Sequence, residues 1–215
     1  MPQLELSVPP PPAPQARALL RRDPLPDADA ALVARAQDGD MKALEALFRR
    51  HHGPIHQLVH RMVHGAPEAE DLVQEAFLKA FRGLGGFRRH SSFKTWLYQI
   101  ATNTCLNHLA RAERRYQHDS LDATLGEEGG LTLGERLEAH GQTPEEAATA
   151  AEVYRQVERA LAQLSPEFRA VLVLRDVQDL SYEEIAESLG INLGTVKSRL
   201  ARARRQVQQH LGELR

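Results

Sequence analysis

The side chains able to do chemistry fall into a few groups, and most of them fail as catalysts on inspection. His52, His56, His60 and His64 recur every fourth residue. Two imidazoles one helical turn apart can share a metal ion, but no carboxylate or cysteine completes the set at ligand spacing, so a polar helix flank is the better reading. Asp71 and Glu75 form a carboxylate pair one turn apart, yet acid–base work needs a pocket and a partner that nothing nearby supplies. Such an acidic, polar face is more often solvated or a docking surface for a basic partner. Cys105 is the only cysteine, which permits no internal disulfide and no cysteine-based zinc site. It lies inside a helical pattern, where a small buried thiol is expected. No phosphate-binding Walker loop, HExxH, GxSxG or cofactor fingerprint occurs, so no catalytic residue, no metal and no cofactor is expected.

What remains is chemistry suited to nucleic acid. Near the C-terminus stand Lys197, Ser198, Arg199, Ala201, Arg202, Arg204 and Arg205, with no acid between Glu187 and Glu213. Arg and Lys donate to guanine edges or to phosphate, and a serine hydroxyl serves either. In the middle of the chain six of the eleven aromatics fall between Phe77 and Tyr98, interleaved with Arg88, Arg89 and Lys94, and Asn103, Asn107 and Arg111 follow about a turn apart. Aromatic faces or pockets receive unstacked bases, amides read their edges and cations follow the phosphates. Composition leaves this middle stretch evenly poised between single-strand binding and a plain aromatic core.

The elements that must position the C-terminal group are legible. Ser181 followed by Glu184 predicts a capping box, and Ile185, Ala186 and Leu189 mark the inner face of the helix it starts. Gly190 supplies a left-handed stop. Asn192 is placed to cap the next helix, along which Val196, Leu200, Ala203 and Val207 form one narrow apolar stripe. The opposite side of that helix carries Lys197, Ser198, Ala201, Arg202 and Arg205, with Arg199 and Arg204 on the flanks. Short helix, small residue, glycine turn and long basic helix occur in the order of a helix-turn-helix whose second helix enters the major groove.

Bulk properties bound the rest. The 215 residues allow two small domains, and the net charge of −2 conceals a strong segregation. No acid occurs from Ala76 to Ala112, whereas Asp119 to Glu146 holds eight acids against Arg136 alone. No apolar run is long enough to span a membrane and no basic n-region precedes an apolar core, so a cytoplasmic protein with no membrane insertion is expected. Residues 1–26 hold eight of the twelve prolines and read as a disordered tail. From Asp29 a helical pattern runs through Leu32, Val33 and Ala36, breaks at Gly39, resumes through Ala43, Leu44, Leu47 and Phe48, and restarts at Pro54 with Ile55, Leu58, Val59, Met62 and Val63. The next helix turns Leu72, Val73, Ala76, Phe77, Ala80 and Phe81 inward, leaving Glu70, Asp71, Gln74, Glu75 and Lys79 outside. Glycines and acids across 116–143 predict a flexible linker. Beyond it Val153, Val157, Leu161 and Leu164 predict one helix, and Ser165–Pro166 the start of another. The fold class is therefore all-α, with two small helical domains at 27–115 and 144–215.

Taken together, EAEDLVQEAFLKAF with FRRHSSFKTWLYQIATNTCLNHLARAERR resembles region 2 of the extracytoplasmic-function, or group 4, sigma factors of bacterial RNA polymerase, and LSPEFRAVLVLRDVQDLSYEEIAESLGINLGTVKSRLARAR is similar to their region 4. The resemblance covers about Asp29–Arg115 and Thr143–Leu211. It implies that Asp71, Gln74 and Glu75 lie on the helix that docks on core RNA polymerase. It implies that the loop Phe87–Ser92 (with Arg88 and Arg89), Lys94, Asn103, Asn107 and Arg111 take the single-stranded −10 element, and that Lys197, Ser198, Arg199, Ala201, Arg202 and Arg205 read the −35 duplex. The loop's RRHS stands where many relatives have a glycine and an acid. An anti-sigma factor is a further partner that relatives commonly have, and a stress or envelope response is the implied setting. The rival is a conventional regulator that binds DNA through the helix-turn-helix without polymerase and uses its N-terminal helices to sense or dimerise. The acidic helix around Asp71 favours the sigma factor, because a free regulator has no use for such a docking face.

Overall fold

A computed structural model describes residues 28–88, 91–119 and 144–213, and every regular element among them is helical. In chain order these are α1 (Ala30–Gln37), α2 (Met41–Met62), α3 (Ala69–Gly83), a 3-10 turn (Leu84–Gly86), α4 (Phe93–Asp119), α5 (Pro144–Ala162), α6 (Pro166–Leu172) running into a π turn (Val173–Val177), α7 (Tyr182–Leu189) and α8 (Leu193–Glu213). The proline-rich tail, most of the expected linker, and Arg89 lie outside the described residues.

Gly39 takes φ +90° to reverse the chain between α1 and α2. Asp40 then caps α2, its Oδ1 accepting from the backbone N–H groups of Lys42 (2.9 Å) and Ala43 (3.3 Å). The Arg35 guanidinium, 2.6 Å from Asp40 Oδ2, helps hold that carboxyl below its ordinary range. The restart expected at Pro54 does not occur: α2 is one 22-residue helix with Pro54 inside it. A proline forfeits its own N–H bond and crowds the preceding turn. Here Leu47, His51, Ile55, Leu58, Val59 and Met62 are all buried along one face, which outweighs that loss. His51 is buried because Asp29 sits at 2.7 Å from its Nε2, and Asp29 also pairs with Arg50, so the start of α1 is tied to the middle of α2.

α3 buries Leu72, Val73, Ala76, Phe77 and Ala80 as its pattern requires. α4 continues to Asp119, a few residues into the stretch read as linker. In α5 the stripe is only partly used, for Leu161 and Leu164 are buried but Val153 is 56% exposed. The π turn after α6 absorbs one extra residue per turn and brings Leu174 and Leu180 into the core.

The two halves pack on each other. Helix α7 packs on α4, and the end of α6 packs on α2. Tyr98 Oη donates to Gln178 Oε1 at 2.6 Å, Gln178 Nε2 donates to Gln57 Oε1 at 3.3 Å, and Arg169 donates to the Met62 carbonyl. One buried cluster runs from Val33 to Ala203 through both halves.

The glycines of the first half carry opposite predictions. Gly53 lies in the interior of α2, where an added Cβ meets nothing within 4 Å, so Gly53→Ala should raise stability by roughly 0.5–1 kcal/mol. Gly65 has φ +66° and its Cβ would lie 2.9 Å from His60 Nε2, so Gly65→Ala should lower stability by about 1–2 kcal/mol. Urea unfolding followed by circular dichroism reads both, and equal signs would contradict this account.

Candidate nucleic-acid interface

The helix-turn-helix forms as its residues require. Ser181 Oγ accepts from the Glu184 backbone N–H at 3.1 Å while Glu184 Oε2 accepts from the Ser181 N–H at 2.8 Å. Gly190 ends α7 in the left-handed conformation at φ +63°. Asn192 Oδ1 accepts from the Thr195 N–H at 2.7 Å and so opens α8. Val196, Leu200 and Ala203 are buried beneath that helix and Val207 packs against the same core.

On its outer side Lys197, Ser198, Ala201, Arg202 and Arg205 are exposed. Among the described residues Lys197, Arg202 and Arg205 have no ion-pair partner. The flanking arginines are different: Arg199 reaches Glu167 at 3.2 Å and Arg204 reaches Asp176 at 2.5 Å. The geometry divides the basic set into three free cations flanking a small residue, and two arginines anchored by acids of α6 and the π turn.

The second basic region is split between core and surface. Phe87 is only 8% exposed, its ring 4.9 Å from Trp96 and edge-on to Phe93. The 3-10 turn is held by Gln37 Nε2, which donates to the carbonyls of Leu84 (2.9 Å) and Phe87 (3.0 Å). The aromatic content of this stretch therefore builds the core and fixes the loop, and the plain-core reading accounts for Phe77, Phe87, Phe93 and Tyr98. Arg88, Asn103, Asn107 and Arg111 remain exposed, with the last three running along one side of α4. Lys94 lies with its Nζ 5.8 Å from the Tyr98 ring centroid. Ser92 caps the start of α4, its Oγ accepting from the Thr95 N–H at 3.0 Å.

The acidic helix presents Asp71, Gln74 and Glu75 to solvent. Glu75 also pairs with Lys79 at 2.6 Å. Leu78, 53% exposed, continues the same stripe one turn on. Sequence periodicity had no reason to single it out, since its position in the pattern is that of an ordinary outward residue. The histidine ladder is a stack on α2: His52, His56 and His60 have ring centroids 6.0 Å apart in each step. His56 Nε2 lies 3.5 Å from Glu70, whereas His64 leaves the helix at φ +58°. Among the described residues no group of three or more His, Cys, Asp or Glu has metal-holding geometry. Cys105 is wholly buried, and burial pushes its thiol up to about 12.

Two family models match the chain, sigma-70 region 2 over residues 47–115 and sigma-70 region 4 over residues 154–207. The RNA polymerase sigma-H factor of Pseudomonas aeruginosa is 40% identical over 186 residues, 86% of this chain and 95% of that protein. The chain belongs to the extracytoplasmic-function sigma factors. The sigma-E factor of Escherichia coli K12 is 39% identical over 188 residues, covering 86% of this chain and 95% of its own. SigW of Bacillus subtilis is 34% identical over 182 residues, 85% and 96% of the two chains. Among solved structures, CnrH in complex with the cytosolic domain of CnrY matches with a TM-score of 0.59 and 26% identity, over 87% of this chain and 99% of that one. The Bartonella quintana sigma factor RpoE, solved with the anti-sigma factor NepR, matches with a TM-score of 0.63 at 23% identity, over 80% and 98%. It shares the fold. The family acts in transcription initiation and is not enzymatic. No helix among the described residues is long and apolar enough to cross a membrane.

Two expectations follow from the geometry. Ser181→Ala should cost about 1 kcal/mol, and in a double-mutant cycle with Glu184→Ala the losses should be non-additive, because each residue satisfies the other's backbone. Cys105 should resist a thiol reagent at pH 8 in the native state, where its thiolate is scarce, and react on addition of denaturant; prompt native-state labelling would contradict its burial.

Proposed function

We propose that this cytoplasmic sigma factor recruits core RNA polymerase to specific promoters, with a division of labour between its two basic surfaces. The observation that carries this reading is the presentation of three cations, Lys197, Arg202 and Arg205, with no ion-pair partner among the described residues, on the outer side of a capped second helix. Region 4 reads the −35 duplex through Lys197, Ser198, Ala201, Arg202 and Arg205, with Arg199 held beside them by Glu167. Ala201 leaves room for a base edge or a thymine methyl to approach the helix. Region 2 takes the unpaired −10 strand with Arg88, Arg89, Ser92, Lys94, Asn103, Asn107 and Arg111, while Phe87 supports the loop from within the core. Binding only the melted form draws the duplex open by mass action.

Asp71, Gln74 and Glu75 form the polymerase-docking face, with Leu78 as an apolar contact at its side. The solved complex of a fold neighbour with the anti-sigma factor NepR supports such a protein as a regulator of this chain also. The names of the sigma-E relatives support an envelope or stress response.

Gel filtration with bacterial core polymerase tests the central claim: the wild type should co-elute and the Asp71→Arg, Glu75→Arg double variant should not. Failure of both, with specific duplex binding retained, would point to a polymerase-independent regulator. In the assembled holoenzyme Asn103→Ala should impair promoter opening more than closed-complex binding. Arg202→Ala should weaken −35 binding by about 1–3 kcal/mol if it reads a base edge; equal affinity across salt concentrations would remove Arg202 from the interface.

A further inference from the structure

Lys79 stands where the two proposed surfaces of region 2 meet. On α3 it lies two turns after Asp71 and one turn after Glu75, and its Nζ is 2.6 Å from Glu75 Oε1. The same ammonium reaches across to α4 and donates to Thr104 Oγ1 at 3.2 Å. Thr104 is 3% exposed, so the lysine comes to the helix crossing and not the threonine out to the lysine. Thr104 stands one turn before Asn107 and two turns before Arg111, which sets the three on one side of α4. A cation of the acidic helix is thereby carried to the edge of the row proposed to follow the −10 strand.

Neither contact accounts for this placement by itself. The pair with Glu75 joins two half-exposed side chains one turn apart, an arrangement that adds little to stability. A threonine hydroxyl inside a helix is satisfied by the carbonyl of its own preceding turn and needs no lysine. An ammonium has three donors, and the third on Lys79 has no partner among the described residues. Charge points the same way. Glu75 is the last acid before Glu113, and Lys79, Arg82, Arg88, Arg89, Lys94 and Arg111 lie between them. A compact point charge on a flexible stem suits a single phosphate oxygen, and it follows a strand whatever bases that strand carries.

We propose that Lys79 is a further contact for the −10 strand: its ammonium, seated on Thr104 at the edge of the Asn107–Arg111 row, takes a phosphate of the unpaired strand, and Glu75 is the positioning residue that holds it there. The contact rests on the reading of α4 as the −10 surface. It adds a sequence-independent anchor to a row whose amides face the bases.

The test is the salt dependence of binding by the full-length chain assembled with core polymerase. The probe is the fork-junction DNA that the wild-type holoenzyme enriches from a pool randomised across its single-stranded tail, with affinity read by fluorescence anisotropy. Lys79→Gln keeps a hydrogen-bond donor for Thr104 and loses the charge. It should bind roughly three- to tenfold more weakly at about 0.1 M salt, and its slope of log affinity against log salt should fall by about 0.7, the value for one phosphate of a single strand. Lys79→Arg should restore both, and Asn103→Ala should weaken binding with the slope unchanged. A purely structural role at Thr104 predicts instead a lower melting temperature for Lys79→Gln with the wild-type slope, and that result would overturn the contact. So would a Lys79→Gln chain that no longer co-elutes with polymerase, which would place Lys79 in the docking face. If Asn103→Ala also leaves the affinity untouched, the −10 reading of α4 itself falls, and the contact falls with it.

Discussion

One buried cation ties together the helix ends at which the two halves meet. The Arg169 guanidinium donates to the carbonyls of Leu161 (3.1 Å), Ala162 (3.3 Å) and Leu164 (2.8 Å) at the end of α5 and to that of Met62 at the end of α2. It is 4% exposed, and among the described residues no carboxylate forms an ion pair with it, Glu158 acting only from a distance. Burial pushes it down to about 10 from an ordinary 12.5, so at neutral pH it is charged both folded and unfolded, and its desolvation cost does not vary there. What offsets that cost is geometry: two helix C-termini, each with carbonyls that have no partner within the helix and a negative dipole end, converge on one planar donor. Removing the side chain would leave both ends unsatisfied at once. Arginine is suited to this role where lysine is not, because a fork of five N–H groups reaches four acceptors without reorganising.

That staple explains why α6 is brief and distorted. A helix starting at Pro166 must carry Arg169 into the junction on its first turn and then deliver Leu174 and Leu180 to the core. The π turn at Val173–Val177 makes the adjustment, and it leaves Gln178 buried opposite Tyr98. The capping box of α7 then follows immediately. The same Glu184 carboxylate that closes the box with one oxygen accepts from Thr95 with the other, so the start of the helix-turn-helix and its seat on region 2 are built from one side chain.

Legibility in the sequence followed the range of the interactions. The caps at Ser181 and Asn192, the stop at Gly190 and the stripe under α8 are settled within a few residues, and the spacing states them directly. The outward basic face could be read for the same reason, since burying Val196, Leu200 and Ala203 leaves Lys197, Arg202 and Arg205 no other side. Pro54 misled because its local cost is visible in the pattern and the compensating burial of α2 is not. Phe87 illustrates the opposite failure: an aromatic beside arginines suits stacked bases equally well, and only its contact with Trp96 assigns it to the core. The partners of Arg169, Tyr98 and Gln178 lie 80 or more residues away in several cases. No periodicity registers contacts of that kind, so the packing of one half on the other was not legible in the two motifs.

The chemistry of the junction between the halves has its own logic. The union of region 2 and region 4 rests first on a shared apolar cluster, worth roughly 25 cal/mol for each square ångström removed from water. The contacts that orient the two halves are hydrogen bonds between neutral or singly charged groups, each worth about 1 kcal/mol net because water replaces a partner that is lost. A handful of such bonds fixes one orientation sharply, since a mismatched seat leaves donors unsatisfied, yet a partner offering a comparable surface can displace them. The acid on α7 adds direction to this balance. Glu184 is held against the N-terminal turn of α4, where a negative charge is favoured by the helix dipole. The small overall charge of the chain thus conceals a surface on which acids and bases are segregated and each is placed by its neighbours.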